Sequence, residues 1–228
     1  YEESDSVVVD REPCPKCQEQ GNDNSGDNLA RYDDGHGYCF ACGHFEKGDA
    51  DYEAPDRPKT EFSPYRGSCV EIPSRWIEEK TCRRYGYQVA TSNGNEFHIA
   101  PYYRNQQLVA QHLRGVEPKS FKWVGSPKGC ELFGQNLWAT GGKRLVITEG
   151  EMDCLTVNQL LGGTWPVVSL PNGVQSAAKD IKNNIEFINS FQEVIIMFDM
   201  DDAGQEAAVK AAGILPPGKA KIAKLPMK

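Results

Sequence analysis

Long apolar runs are missing from this 228-residue chain: none approaches the ~20 residues that a membrane-spanning helix needs, so a helical membrane protein is excluded as a reading. A secretory signal peptide is also missing. So is an excess of positive charge. The net charge of −7 argues against a simple basic protein that coats DNA. Internal repeats and low-complexity tracts are absent. Residues 11–50 lack the large apolar side chains from which a core is built, so something other than burial must hold that segment together. The chain starts at Tyr1 and stops at Lys228 with no evident terminal element, and reads as a piece of a longer protein.

Charge is unevenly spread. Residues 1–52 carry 13 Asp and Glu against 4 Lys and Arg, whereas residues 101–144 carry 7 Lys and Arg against Glu117 and Glu131 alone. Phosphate contacts are therefore expected in the second region. Four of the eight cysteines stand in two tight pairs, and Cys69, Cys82, Cys130 and Cys154 are scattered. Paired spacing without a secretory signal favours metal binding in a reducing compartment over disulfides.

The pairs are Cys14-x-x-Cys17 and Cys39-x-x-Cys42, separated by 21 residues. Each pair places two thiolates on one ion, and two pairs complete a tetrahedron, so one structural Zn²⁺ with a closed shell is expected. With that shell full, His36 and Phe45 beside the second pair are free to point outward and contact bases, or else simply to pack the ribbon. Val7 to Val9 predict a short edge strand. Residues 51–65, with Pro55, Pro58 and Pro64 among charges, have the composition of a linker.

Beyond residue 66 the pattern is mixed at first. Trp76, Ile77, Cys82 and Tyr85 have the spacing of one helical face, and 96–113 alternates like a hairpin broken at 105–107. After Gly141-Gly142, short apolar runs alternate with helical segments. Strands are predicted at 144–149, 166–170, 193–199 and 219–225, and helices at 152–162, near 176–190 and at 203–213. That alternation implies a parallel sheet with helices on its faces. The fold class is thus a small zinc ribbon followed by an α/β domain. Its boundaries are read as a ribbon at 1–52, a linker at 53–65, a basic and aromatic subdomain at 66–141 and a metal-binding subdomain at 142–228.

Three acids fall at carboxyl ends of predicted strands: Glu149, Asp199 and Asp201. Ligands bind at that edge of open parallel sheets, and carboxylates there suit Mg²⁺ together with substrate phosphates. Asp202 is read as the cap of the following helix, and Glu151 and Asp153 as acids favouring a first helical turn. Arg104, Arg114, Lys119, Lys122, Lys128, Lys143 and Arg144, interleaved with Tyr102, Tyr103, Phe121, Trp123 and Trp138, suit a groove for phosphates and stacked bases. The alternative for each is an ordinary solvated face with core aromatics.

The motifs "DGHGYCFAC" (34–42), "FKWVGS" (121–126), "LFGQNLW" (132–138), "VITEGEMDCLTV" (146–157), "PVVSL" (166–170) and "IIMFDMDDAG" (195–204) resemble the primase half of the T7-type bacteriophage primase–helicases, over nearly the whole chain. The resemblance implies a Toprim-type parallel sheet and a DNA-directed primase that makes short RNA primers on single-stranded DNA from ribonucleoside triphosphates. It implies Glu149, Asp199 and Asp201 as catalytic acids on Mg²⁺. It implies Arg114, Lys119 and Lys122 in the basic motif that contacts nucleotide and phosphates, with Lys122 taken as catalytic and Lys128 as a further contact. It implies His36 as the ribbon residue that helps read a trinucleotide, with Phe45 where the family has tryptophan. A replicative helicase and a DNA polymerase are implied as partners, and the cytoplasm of an infected bacterium as the setting. In the family another acid follows the strand near "KLPMK" (224–228), so the metal-binding subdomain reads as C-terminally short. Two further readings stay open: a zinc-ribbon DNA-binding module with a non-catalytic partner domain, and a different Toprim activity such as DNA cleavage.

Overall fold

The computed structural model describes residues 7–23, 26–48 and 62–225. The chain divides near residue 60 into two units. In the first, β1 (Val8–Glu12), β2 (Leu29–Tyr32), β3 (Gly37–Cys39) and β4 (Phe45–Glu46) form an antiparallel sheet in that order, and α1 (Pro15–Glu19) is a single short helix after Cys14. The valine-rich strand expected at the start is edge strand β1. The buried cluster of this unit is only Cys14, Cys17, Leu29 and Cys39, as a segment with so few apolar residues dictates. Arg31 ties the sheet across its width by pairing with both Glu12 and Glu46.

The second unit has two four-stranded sheets. The antiparallel one runs in order β5 (Gln88–Ser92), β6 (Asn95–Arg104), β7 (Gln107–Gly115) and β8 (Ser120–Gly125), preceded by α2 (Glu79–Tyr85). The hairpin predicted around 105–107 is the β6–β7 turn. The parallel sheet is built from β9 (Gly142–Thr148), β10 (Val167–Ser169), β11 (Phe191–Met197) and β12 (Ala220–Ile222), in order β10-β9-β11-β12. Its helices are α3 (Glu151–Leu160), α4 (Ala177–Asn183), α5 (Ile185–Asn189) and α6 (Asp202–Ala212). The single helix predicted near 176–190 is therefore two short ones, interrupted at Asn184.

Both faces of the parallel sheet are buried, which is why its strands read as unbroken apolar runs. Leu145, Ile147, Val194 and Ile196 pack one face against Ile181, Ile188, Ala208 and Ala211 of α4, α5 and α6. Val146 and Val167 pack the other against Leu155 of α3, Cys82 and Tyr85 of α2, and Ala100, Tyr102 and Ala110 of the antiparallel sheet. The antiparallel sheet thus lies over the parallel one with α2 and α3. Its opposite face is covered in part by Tyr65, whose backbone exchanges two hydrogen bonds with the Gln111 side chain at 2.7 and 3.0 Å. Of the segment read as a linker at 53–65, residues 53–61 lie outside the described residues. No helix among the described residues is long and apolar enough to cross a membrane.

One expectation needs correcting. The helical face spanning Trp76 to Tyr85 does not form, because α2 begins only at Glu79. Ile77, Cys82 and Tyr85 are buried, but Trp76 is 87% exposed in a left-handed turn with φ 56°.

Gly134 shows how closely the interior is fitted. Its φ is 77°, and a Cβ there would stand 2.4 Å from the buried Tyr85 ring, whose hydroxyl donates to the Val167 carbonyl at 2.9 Å. Gly134→Ala should cost about 2 kcal/mol or more, from overpacking added to backbone strain. Gly162→Ala, at φ 70° but facing open space, should cost only about 1 kcal/mol. Chemical denaturation of the two variants checks the difference, and equal losses would show that the Tyr85 contact is soft.

Candidate nucleotidyl-transfer cleft and cysteine cluster

In the first unit the four paired cysteines meet. Their sulfurs all lie within 4.8 Å of one another, with Cys14–Cys42 at 3.6 Å and Cys17–Cys39 at 3.7 Å. A tetrahedral Zn²⁺ with ~2.3 Å bonds needs sulfurs ~3.8 Å apart, so the cluster fits one zinc ion. Burial opposes ionisation of Cys39, yet the backbone N–H groups of Cys42 and Ala41 pull its thiol down to about 7. Burial and the neighbouring sulfurs push Cys17 up to about 12. Four sulfurs this close ionise together only around a cation. Among the described residues this is the single cluster with such ligand spacing.

His36 is only partly exposed. Its ring stacks on Tyr32 at 4.0 Å and lies 5.8 Å from Phe45, and its Nδ1 bonds to Asp34. Phe45 is 59% exposed and pairs across the strands with the exposed Tyr38.

In the second unit, β9 and β11 deliver acids to one edge of the parallel sheet. Glu149 follows the end of β9 and Asp199 stands just past β11; a Glu149 Oε2 accepts from the Asp199 N–H at 3.4 Å. Desolvation, then the charges of Asp199, Asp201 and Asp153, raise the Glu149 carboxyl above its ordinary value. These groups repel one another, and carboxylate oxygens are the ligand type that hard divalent cations take, although here they stand further apart than a closed ligand set. The helix cap expected at Asp202 is Asp201 instead: its Oδ1 accepts from the Gly204 N–H at 2.7 Å, and Asp202 is the first residue of α6. One oxygen of Asp201 is thus committed to the helix, which fixes where the other points.

A cleft of about 400 Å³ opens beside these acids, lined by Glu149, Asp153, His112, Arg114, Phe121 and Trp123 among others. Its far wall is one face of β7 and β8, where pairing sets His112 opposite Trp123 and Arg114 opposite Phe121. His112 stacks on Trp123 at 4.6 Å and on Phe121 at 5.5 Å. Arg114 and Lys119 hold their cations 5.8 and 5.6 Å from the Phe121 ring, which is itself 55% exposed. An exposed aromatic ring with cations at its margin is an arrangement on which a base can stack.

The other basic residues do not gather there. Strand alternation turns Lys122, opposite Leu113, to the far side of the sheet from Arg114. Arg104 donates to the carbonyls of Gly129 and Lys128. Lys143 and Arg144 stand at the start of β9, the opposite edge of the parallel sheet from the acids, and Arg144 pairs with Glu193 at 2.6 Å. Lys128 lies in the loop after β8, outside the cleft lining. The groove predicted from seven interleaved cations therefore reduces to Arg114 and Lys119 with Phe121 and Trp123.

His112 and Glu151 are the residues that sequence reading passed over. Glu151, taken as a first-turn acid, is enclosed with its side chain 14% exposed. Its Oε1 accepts from the Tyr102 hydroxyl at 2.8 Å and from His112 Nδ1 at 2.7 Å. The only sequence signal was the alternation that puts Tyr102 and His112 on one sheet face.

Despite desolvation, His112 and then Tyr102 hold the Glu151 carboxyl below its ordinary value. Its contribution to stability is present above the ordinary carboxylate range and is lost as pH falls through the lowered folded value. The stability gap between the parent chain and Glu151→Gln should therefore be full near neutrality and close in acid. Urea unfolding at pH 7 and near pH 3 measures it, and a gap independent of pH would refute the account of a carboxylate held ionised by its two donors.

Residues 67–125 match the family model described as bacteriophage T7 DNA helicase/primase, N-terminal a+b fold, and residues 146–228 match the Toprim-like model. The chain is 37% identical over 240 residues to the DNA helicase/primase of Enterobacteria phage T3, covering 99% of this chain and 41% of that protein. It therefore spans well under half the length of that relative. It is similar to the crystal structure of the primase fragment of the bacteriophage T7 primase-helicase protein, with TM-score 0.70 and 35% identity, over 97% of this chain and 92% of that one. It is also similar, at TM-score 0.65 and 42% identity over 72% of this chain and 82% of the other, to a chain from the T7 lagging-strand DNA polymerase interacting with primase domains of two gp4 subunits bound to an RNA/DNA hybrid and dTTP. A DNA primase domain from Pseudomonas aeruginosa, at 18% identity and TM-score 0.52, shares the fold. The two cysteine pairs, the strand-end acids and this likeness along the full length lead to one conclusion: the chain belongs to the primase family of the T7-type phage helicase/primases.

Proposed function

We propose that this chain is a DNA-directed primase that joins ribonucleoside triphosphates into short RNA on single-stranded DNA. The observation that carries the reading is the cleft, lined by Glu149 on one side and by Arg114 and Phe121 on the other, with the Asp199 N–H on the Glu149 carboxylate and the Lys119 cation 5.6 Å from the Phe121 ring. Nucleotidyl transfer needs both: negative oxygens to hold cations, and positive groups to hold phosphates.

Glu149, Asp199 and Asp201 would hold Mg²⁺, which when bound lowers the pKa of an attacking 3′-hydroxyl and neutralises the leaving pyrophosphate. Asp201 is oriented by its cap on α6, and Glu149 by the Asp199 N–H. Arg114 and Lys119 contact phosphate oxygens, and Phe121 takes a base on its exposed face. Lys122, on the reverse of that wall, acts on phosphate only through a nucleic-acid segment that passes behind the sheet. The four cysteines hold a structural zinc, and His36 with Phe45 and Tyr38 read the template start site. Lys128 adds a phosphate contact beside the wall. The segment 53–65 tethers the ribbon and lets it bring the template to the cleft. In the whole protein the activity is coupled to a replicative helicase and a DNA polymerase in an infected bacterium. Reading the chain as a binding module alone leaves three mutually repelling acids without a task.

Asp199→Ala should lower primer synthesis by at least 10³-fold, about 4 kcal/mol of transition-state stabilisation, while zinc content stays at one per chain. Synthesis of labelled RNA on single-stranded DNA carrying all trinucleotides checks this, and near-normal product would remove Asp199 from the reaction. Cys17→Ser should lose zinc and start-site preference together. Unchanged choice of start sites in a zinc-free variant would refute the ribbon's role as reader.

A further inference from the structure

Trp76 occupies a costly position. Among the described residues it is the most exposed of the large apolar side chains, at 87%, and its backbone is left-handed at φ 56° and ψ 30°, a conformation that bulky residues rarely adopt. Nothing about the turn is loose. Ile72 and Ile77 on either side are buried and bridge each other with hydrogen bonds of 2.8 and 3.2 Å. The Trp76 carbonyl accepts from Gln159 Nε2 at 2.8 Å. The Oε1 of the same amide accepts from the Glu78 N–H at 2.8 Å and the Thr81 hydroxyl at 3.0 Å. A rigid, pinned turn thus presents an indole to water. Strain held in place by its surroundings marks a functional position more often than a packing accident.

The surroundings of the indole indicate its ligand. Arg75 beside it is exposed and has no ion pair among the described residues, because the nearby acids Glu78 and Glu79 are taken up by Lys80 and Arg83. Arg75 lies within electrostatic range of Asp153 in the cleft lining, as it does of Tyr87 and His98. Helix α3 joins the two places, with Asp153 at the cleft and Gln159 under Trp76 roughly 9 Å further along the helix axis. An aromatic face and an unpaired cation on the approach to a nucleotide site match the two demands of single-stranded nucleic acid, a surface for bases and a charge for the backbone.

We propose that Trp76 is a base-stacking post for the single-stranded template outside the cleft, with Arg75 as its phosphate contact. The inference rests on the primase reading but concerns binding rather than chemistry, so the two fail separately.

The test compares binding of a single-stranded oligodeoxynucleotide by the full chain and by Trp76→Gly, Trp76→Phe and Arg75→Gln. Glycine suits the left-handed backbone, so Trp76→Gly should melt within a few degrees of the parent chain, and it keeps its Gln159 bond through the carbonyl. Its affinity should fall about tenfold, whereas Trp76→Phe should retain most of it. On an oligonucleotide of abasic sites, Trp76→Gly and the parent should bind alike. Arg75→Gln should lower the slope of log affinity against log salt by about one. Parent-like binding by Trp76→Gly on base-bearing DNA would overturn the proposal and leave the indole to a protein partner, even if primer synthesis is intact. A parent chain that binds no single-stranded DNA would overturn the primase reading along with it.

Discussion

A carboxylate enclosed between two sheets determines the shape of the cleft. Glu151 opens α3, only two residues after Glu149, and its donors, Tyr102 and His112, belong to β6 and β7. An anion so enclosed is tolerated only with partners, and removing either one strands it. The contact therefore fixes how the wall bearing Arg114, Phe121 and Trp123 faces the edge bearing Glu149 and Asp199. Apolar packing of Tyr102, Leu155 and Val146 brings the two sheets together. Packing alone is tolerant of small slides, whereas two hydrogen bonds converging on one oxygen are not. The same contact holds His112 flat against Phe121 and Trp123, so the aromatic wall and the acidic sheet edge are positioned by one group.

The sequence reveals this unit unevenly, for physical reasons. The parallel strands were legible because burial on both faces leaves no polar alternation to confuse them. The ribbon was legible for the opposite reason: with almost no apolar material, only the spacing of Cys14, Cys17, Cys39 and Cys42 could explain order, and their sulfurs do converge. Failures came where face, not element, decides. Trp76 has the spacing of a helical face, yet the Ile72–Ile77 bridge turns the chain before α2 begins. Lys122 is near Arg114 in the basic stretch but lies on the other side of β8. Strand β8 itself went unread, since its Ser120, Lys122 and exposed Phe121 hide the period of two. Glu151 looked like a solvated first-turn acid because nothing local records that a second sheet lies over it.

Repulsion among the acids is the other constraint. Asp201 spends one oxygen on the Gly204 N–H, which closes the first turn of α6, and Glu149 receives the Asp199 N–H. Among the described residues the carboxylates are thus held in place by backbone donors, and not by Lys or Arg side chains that would neutralise them. Their mutual charge leaves Glu149 raised. An edge that keeps its negative charge unpaired gives up stability, which is the electrostatic condition under which a bound cation would be stabilising. Lysine or arginine partners would have stabilised the fold and competed with the ion. The cations of this unit obey the same division: Arg144 and Lys221 pair with Glu193 at strand positions away from the acid edge, while Arg114 and Lys119 face an aromatic ring across the cleft. Charge separation across the cleft, maintained by Glu151 underneath, is what distinguishes this sheet edge from an ordinary acidic surface.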